Sequence, residues 1–204
     1  SLDLKKNSNL SFFKCDISNQ DEVSFAVESF YDQFKKIDIL VNNAGILYSA
    51  PLFNIKNGKL SKHSIKMWGK VLSVNLSSVF YTGLNVIEKM ILNRTKGVII
   101  NISSISASGN AGQSAYSVAK AGVNALTKTW AKELGLWGIR VVGIAPGFCN
   151  TDSTNTVMEN NLLNDIKRNI PLRRLGYPEE IASGVIFAAK NDFLNGKILE
   201  IDGG

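Results

Sequence analysis

Tyr116 and Lys120 stand four residues apart in Ser114-Ala115-Tyr116-Ser117-Val118-Ala119-Lys120, a run of good helix formers. At that spacing two side chains lie one above the other on a single helix face. A phenol of ordinary pKa, about 10, is a poor base at neutral pH. A lysine ammonium one turn away favours the phenolate and lowers that pKa. Such a pair can move a proton onto or off an alcohol or carbonyl oxygen. Most isolated Tyr/Lys pairs are only solvated helix surface, so the surrounding elements have to decide.

Those elements alternate. Leu10 to Cys15 reads as a short strand ending at Asp16. A helix follows from Ser18 to about Lys36, with Asn19 and Glu22 placed as a capping box. Ile37 to Val41 is an apolar, β-branched strand of the kind buried on both faces, and it breaks at Asn42-Asn43-Ala44-Gly45. Residues 46–62 read as a long loop, and Ser64 to Met90 as one helix carrying Trp68, Val71, Leu72, Asn75 and Val79 on related turns. Gly97 to Ile102 is the next strand, with Ser103-Ser104 at its end and a small polar loop, Ile105 to Gln113, before the Tyr116/Lys120 helix. Gly138 to Ile144 is a strand closed by Ala145-Pro146-Gly147. Residues 148–170, with Thr151-Asp152 near the start and a helix expected from about Asn155 to Asn169, have the length of a lid. Pro178-Glu179-Glu180 opens a helix, and Gly196 to Ile201 is a last strand.

Alternating strands and helices predict an α/β fold, a doubly wound parallel sheet in three α/β/α layers, here as one domain over residues 1–204. Ligands of such sheets sit outside the carboxyl ends of the strands. Asn42–Gly45, Ser103-Ser104 and Pro146–Thr151 all fall at strand carboxyl ends, so they should share one crevice with Tyr116 and Lys120.

Composition narrows the chemistry. The 204 residues are 45% hydrophobic and 20% charged, a globular balance with room for a sizeable core. Lys and Arg number 23 against 17 Asp and Glu, a spread-out excess that does not point to nucleic acid and would equally suit a phosphate-bearing cofactor. Two cysteines, Cys15 and Cys149, suggest no disulfide framework, and one histidine, His63, leaves no multi-histidine metal site. No metal, no nucleic-acid partner and no membrane span are expected, and the default location is cytoplasmic.

Taken in order, Asn42-Asn43-Ala44-Gly45, the helix Asn75, Ser103-Ser104, Tyr116-x-x-x-Lys120, Pro146-Gly147, Thr151 and Leu172-Arg173-Arg174-Leu175-Gly176-Tyr177-Pro178-Glu179-Glu180 resemble the short-chain dehydrogenase/reductase family over nearly the whole chain. The resemblance is nearest to its 3-oxoacyl-(acyl carrier protein) reductase branch, of fatty acid biosynthesis. It is weaker to the 3-hydroxyacyl-CoA dehydrogenases. It implies a Rossmann-like fold, NADP or NAD as cofactor with NADP preferred, an acyl-thioester or other small carbonyl substrate, and a homodimer or homotetramer. It also implies roles. Tyr116 is the general acid/base, and Lys120 tunes it and holds the nicotinamide ribose. A serine binds the substrate oxygen, and Asn75 holds a relay water. Asn43, Ala44 and Gly45 lie along the adenosine half, Asp16 and Ile17 at the adenine edge, and Pro146, Gly147 and Thr151 along the nicotinamide and pyrophosphate.

The catalytic serine is ambiguous. Counting back from Tyr116 by the family's usual spacing gives Ser103, whereas aligning on the strand ending at Ile102 gives Ser104, and strand register favours Ser104. The family's glycine-rich phosphate loop does not occur ahead of Asp16. A first βαβ unit would add roughly forty residues, so the chain is expected to be an N-terminally truncated part of a longer enzyme. Two other readings remain at this stage: a truncated, non-catalytic scaffold, and, on charge alone, a nucleic-acid binder. The outward faces of the Asn75 and Tyr116 helices, with Phe80, Tyr81, Val123 and Trp130, are candidates for pairing subunits.

Overall fold

A computed structural model of the chain describes residues 10–56, 58–151 and 160–204. Its centre is a four-stranded parallel sheet of β1 (Ile39–Asn42), β4 (Val98–Ile102), β5 (Arg140–Pro146) and β6 (Ile198–Ile201), in the order β1-β4-β5-β6. Two further strands, β2 (Phe53–Lys56) and β3 (Lys59–Lys62), form a separate antiparallel hairpin. The helices are α1 (Gln20–Phe34), α2 (Ile65–Leu72), α3 (Ser78–Leu92), α4 (Ser114–Leu134), α5 (Asn160–Asn169) and α6 (Pro178–Lys190).

Side chains alternate across a strand, and here both faces are covered. Ile99, Ile139 and Val141 point to one side, against Val86 and Met90 of α3 and Val123, Trp130 and Leu134 of α4. Val27 and Phe30 of α1 pack against the same cluster. Val98, Ile100, Val142 and Ile144 point to the other, against Ala188, Ile181 and Val185 of α6. The result is the expected three-layer α/β/α arrangement.

Four expectations need correction. Residues 10–15 form no strand: β1 is the outer strand of the sheet among the described residues and pairs only with β4, so this segment has no ladder partner. It runs instead along α1, with Phe13 edge-on to Phe30 and Ser11 accepting from Gln33. The 46–62 loop contains the β2–β3 hairpin. Beyond the paired ends Lys56 and Lys59, Gly58 sits at φ 72°, the left-handed conformation that a tight hairpin turn favours. Val123 and Trp130, offered as outward-facing, are buried in the core. The expected capping box is also half displaced: Asn19 accepts from the Asp21 and Glu22 amides, but Glu22 reaches back to the amide of Asp16.

The predicted 64–90 helix is continuous but not uniform. Ser64 caps α2 by accepting from the Met67 amide. Between α2 and α3 the chain makes one π-helical turn, Ser73–Ser77, centred on Asn75. The lid helix is described from Asn160 onwards, and Asp152 with the start of the predicted 155–169 helix lies outside the described residues.

Candidate active site

Helix α4 sets Tyr116 and Lys120 one turn apart at its N-terminal end. Lys120 is buried, and its ammonium lies 5.7 Å from the Tyr116 ring centroid. It donates to the Ile102 carbonyl at the end of β4, at 2.7 Å. Burial lowers its pKa from 10.5 to about 8. Burial raises the Tyr116 pKa, partly offset by hydrogen bonding with Ser104. The expected depression of the phenol by Lys120 is not what the surroundings produce, because desolvation of the half-covered ring dominates.

The two serines divide. Ser103 turns inward and donates to the Lys120 carbonyl at 3.3 Å. Ser104 lines a cavity of about 210 Å³ together with Tyr116, Leu47, Gln113, Gly147 and Phe148. Its hydroxyl also caps the short 3₁₀ turn Ile105–Ser108 by accepting from the Ser106 amide. A strand ending in Ser-Ser must send consecutive side chains to opposite sides, and only one can face the cavity.

Asn75 is fully buried, and both ends of its amide are engaged with one residue. Its Oδ1 accepts from the Ile46 amide at 2.7 Å, and its Nδ2 donates to the Ile46 carbonyl at 2.8 Å. The π-turn carries this amide, and the strand-like pairing fixes the chain just after Gly45. A Cβ on Gly45 would lie 3.1 Å from Asn75 Oδ1 and 3.9 Å from Lys120 Nζ, so the backbone there passes close over both.

Four further polar side chains join under the strand ends. Asn42 and Asn101 are register partners on β1 and β4, and Asn42 Nδ2 donates to Asn101 Oδ1 at 2.8 Å. Asn101 donates to Thr127 of α4 at 2.9 Å, and Thr82 of α3 donates to Asn42 at 2.6 Å. This chain ties both strand ends to α3, which follows the Asn75 turn, and to α4, which carries Tyr116. Sequence reasoning missed it, although an asparagine at the same late position of two apolar strands was a visible cue.

A second cavity, of about 620 Å³, is lined by Asn43, Ile102, Thr151, Ile181, Val185 and others. It meets the first at Pro146 and Cys149, which line both. Asn43 and Thr151 line the second cavity, Gly147 the first and Pro146 both, while Gly45 lines neither. Ala44 is exposed on the same loop. Asp16 and Ile17 line neither cavity, and Asp16 accepts from the Ser18 amide and hydroxyl at the start of α1. A larger cavity, about 730 Å³, opens at the opposite ends of the strands around Asp38, Lys96 and Asp192. Parallel sheets bind ligands at carboxyl ends, so its size does not make it the site.

A doubly wound sheet with a Tyr/Lys helix and a strand-end serine over a two-part crevice defines an oxidoreductase of the nicotinamide-dependent kind. Comparison with known proteins agrees. The family model described as enoyl-(acyl carrier protein) reductase matches residues 2–204. The 3-oxoacyl-[acyl-carrier-protein] reductase of Chlamydia muridarum is 40% identical over 203 residues, 98% of this chain and 78% of the relative. The enzyme of the same name from Thermotoga maritima is 39% identical, over 92% of this chain and 74% of the relative. A crystal structure from Agrobacterium tumefaciens, assigned as a gluconate dehydrogenase, superposes with a TM-score of 0.83 at 32% identity, covering 93% of this chain and 73% of that one. The chain belongs to the short-chain dehydrogenase/reductase family, and is an NAD(P)-dependent oxidoreductase of that family. Among the described residues no helix is long and apolar enough to cross a membrane.

Proposed function

We propose that the protein reduces a 3-oxoacyl thioester, carried on an acyl carrier protein, to the 3-hydroxy form, with NADPH as the working cofactor, in the cytoplasm and as a dimer or tetramer. The observation that carries the reading is that the Tyr116 phenol and the Ser104 hydroxyl line one cavity, adjoining the larger space bordered by Asn43, Pro146 and Thr151. The relatives named as 3-oxoacyl-[acyl-carrier-protein] reductases support the substrate class.

The cofactor, when bound, supplies the hydride. The protein supplies the proton. Tyr116, its pKa raised by burial, holds its proton through the physiological range and is set to give it to a carbonyl oxygen. Ser104 donates to the same oxygen and stabilises the charge that develops there. Lys120, at about 8, can give up a proton and regain one near neutrality, and so can restore the phenol. Asn75 acts by positioning: its bonds to Ile46 hold the Gly45 turn at the edge of the crevice. A tyrosine that keeps its proton favours reduction over the reverse oxidation.

The test is turnover of a 3-oxoacyl thioester, followed by loss of nicotinamide absorbance with NADPH and with NADH. Tyr116→Phe should lower kcat by about 10² to 10⁴ while leaving the thermal midpoint close to wild type. Undiminished turnover in that variant would sink the assignment.

A further inference from the structure

We propose that the β2–β3 hairpin and the start of α2 are the docking surface for the acidic carrier protein that delivers the substrate; this rests on the reading just given. Residues 39–87 contain five lysines, at 56, 59, 62, 66 and 70, and not one aspartate or glutamate. Lys59, Lys62 and Lys66 are exposed, and among the described residues they form no salt bridge. Five of the six net positive charges thus fall in this stretch, so the excess that looks spread out in the whole-chain count is local, and three of these lysines are exposed and unpaired among the described residues.

The hairpin is also apolar where it has no cover. Directly opposed residues share a face, and the register pairs Phe53 with Lys62 and Ile55 with Leu60. One face thus presents Phe53, Ile55, Leu60 and Lys62, with the three apolar residues 55%, 72% and 63% exposed. Ile65, at the start of α2, is 87% exposed. A two-stranded hairpin with neither face packed is marginal in water and gains from a partner. An apolar patch rimmed by lysines suits a partner with an apolar ridge among carboxylates. A second copy of this chain would bring lysines against lysines, so self-pairing through this face is disfavoured.

The surface is tied to the cavity. The Ala50 amide donates to the Gly112 carbonyl at 2.7 Å, and the His63 amide to Leu52 at 2.9 Å. Gln113 donates to Ser49 at 3.4 Å and lines the same cavity as Ser104 and Tyr116. A carrier seated on the hairpin would sit at the rim of the space into which its acyl arm must reach.

The experiment measures binding of a purified acyl carrier protein to the full chain by fluorescence anisotropy at low and high salt. In parallel, KM is measured for a carrier-linked 3-oxoacyl substrate and for a small 3-oxoacyl thioester without a carrier. The variant Lys59→Glu/Lys62→Glu/Lys66→Glu is set against Lys128→Glu/Lys132→Glu/Lys190→Glu, the same charge change on other faces. The uncharged pair Ile55→Ser/Leu60→Ser probes the apolar face. The expected result is a loss of carrier affinity on the order of tenfold in the hairpin charge variant and little in the control. Carrier-linked KM should rise in step, small-thioester KM should hold, and wild-type affinity should fall with salt. Equal binding by wild type and hairpin variants overturns the inference. So does equal loss in the control, an arbitrary DNA duplex competing as well as the carrier, or a change in assembly mass in the hairpin variants. A wild type that reduces the small thioester but does not bind the carrier overturns the docking surface alone. A wild type that reduces neither substrate overturns the proposed function.

Discussion

Lys120 shows how far a residue's role depends on what surrounds it. From spacing alone it was expected to act on the tyrosine through its charge. In the fold it is the lysine whose charge is most affected, because its ammonium is buried against the Ile102 carbonyl and its pKa falls to about 8. The unfolded chain returns it to about 10.5, so between pH 8 and 10.5 the unfolded state binds the extra proton. Folding stability should therefore gain from this group as pH rises through that window, and lose it as pH falls to 8. Lys120→Met should remove that gain: urea midpoints of wild type and variant, compared at pH 7, 9 and 10, should diverge in slope across the window. No difference in slope would mean the group is not desolvated as described. The serine was legible only as a pair, since strand register pointed to Ser104 but nothing in the sequence showed Ser103 turning into the α4 backbone.

Among the elements, the strands and the Tyr116 helix were legible because their periodicity and their glycine and proline boundaries agree. Three features were not. Residues 10–15 carry strand-like composition, but a strand exists only with a partner, which local sequence does not report. The hairpin leaves only a short cue, Asn57-Gly58 between two four-residue runs, too brief to separate from loop by sequence. The π-turn at Asn75 left only a faint trace, a polar residue in an apolar stretch. It has a clear structural effect: it puts Val71 against Ala115 and Ala119 of α4, while Val79 and Val86 beyond it face the sheet. Asn75→Ala should strand both the amide and the carbonyl of Ile46, and cost about 3 kcal/mol in urea unfolding. A loss well under 1 kcal/mol would mean that water satisfies Ile46 in its place.

For the whole molecule, the three-layer architecture and the shared crevice were legible because ligand sites of parallel sheets follow from topology. The clamp at the far end of the sheet was not, since its residues are distant in sequence. Arg140 donates to the carbonyls of Ala188, Ala189 and Leu194, at the end of α6 and just beyond it. Asn195 accepts from the Val141 amide and donates to Ala131 at the far end of α4. Arg140 and Asn195 thus sew the layers together at this end, on the rim of the larger cavity, while the other end is loops and the two-part crevice. The molecule should breathe like a hinged book, opening at the crevice first. In deuterium exchange, amides of Asn43–Gly45 and Ala107–Gly112 should exchange well before those of Val98–Ile100 and Val141–Ile144, with the Ile46 amide protected by Asn75. Uniform protection along the strands would contradict this. The same asymmetry means that a ligand entering the crevice needs no global unfolding to be admitted, because local opening is already confined to the end where the chemistry is done.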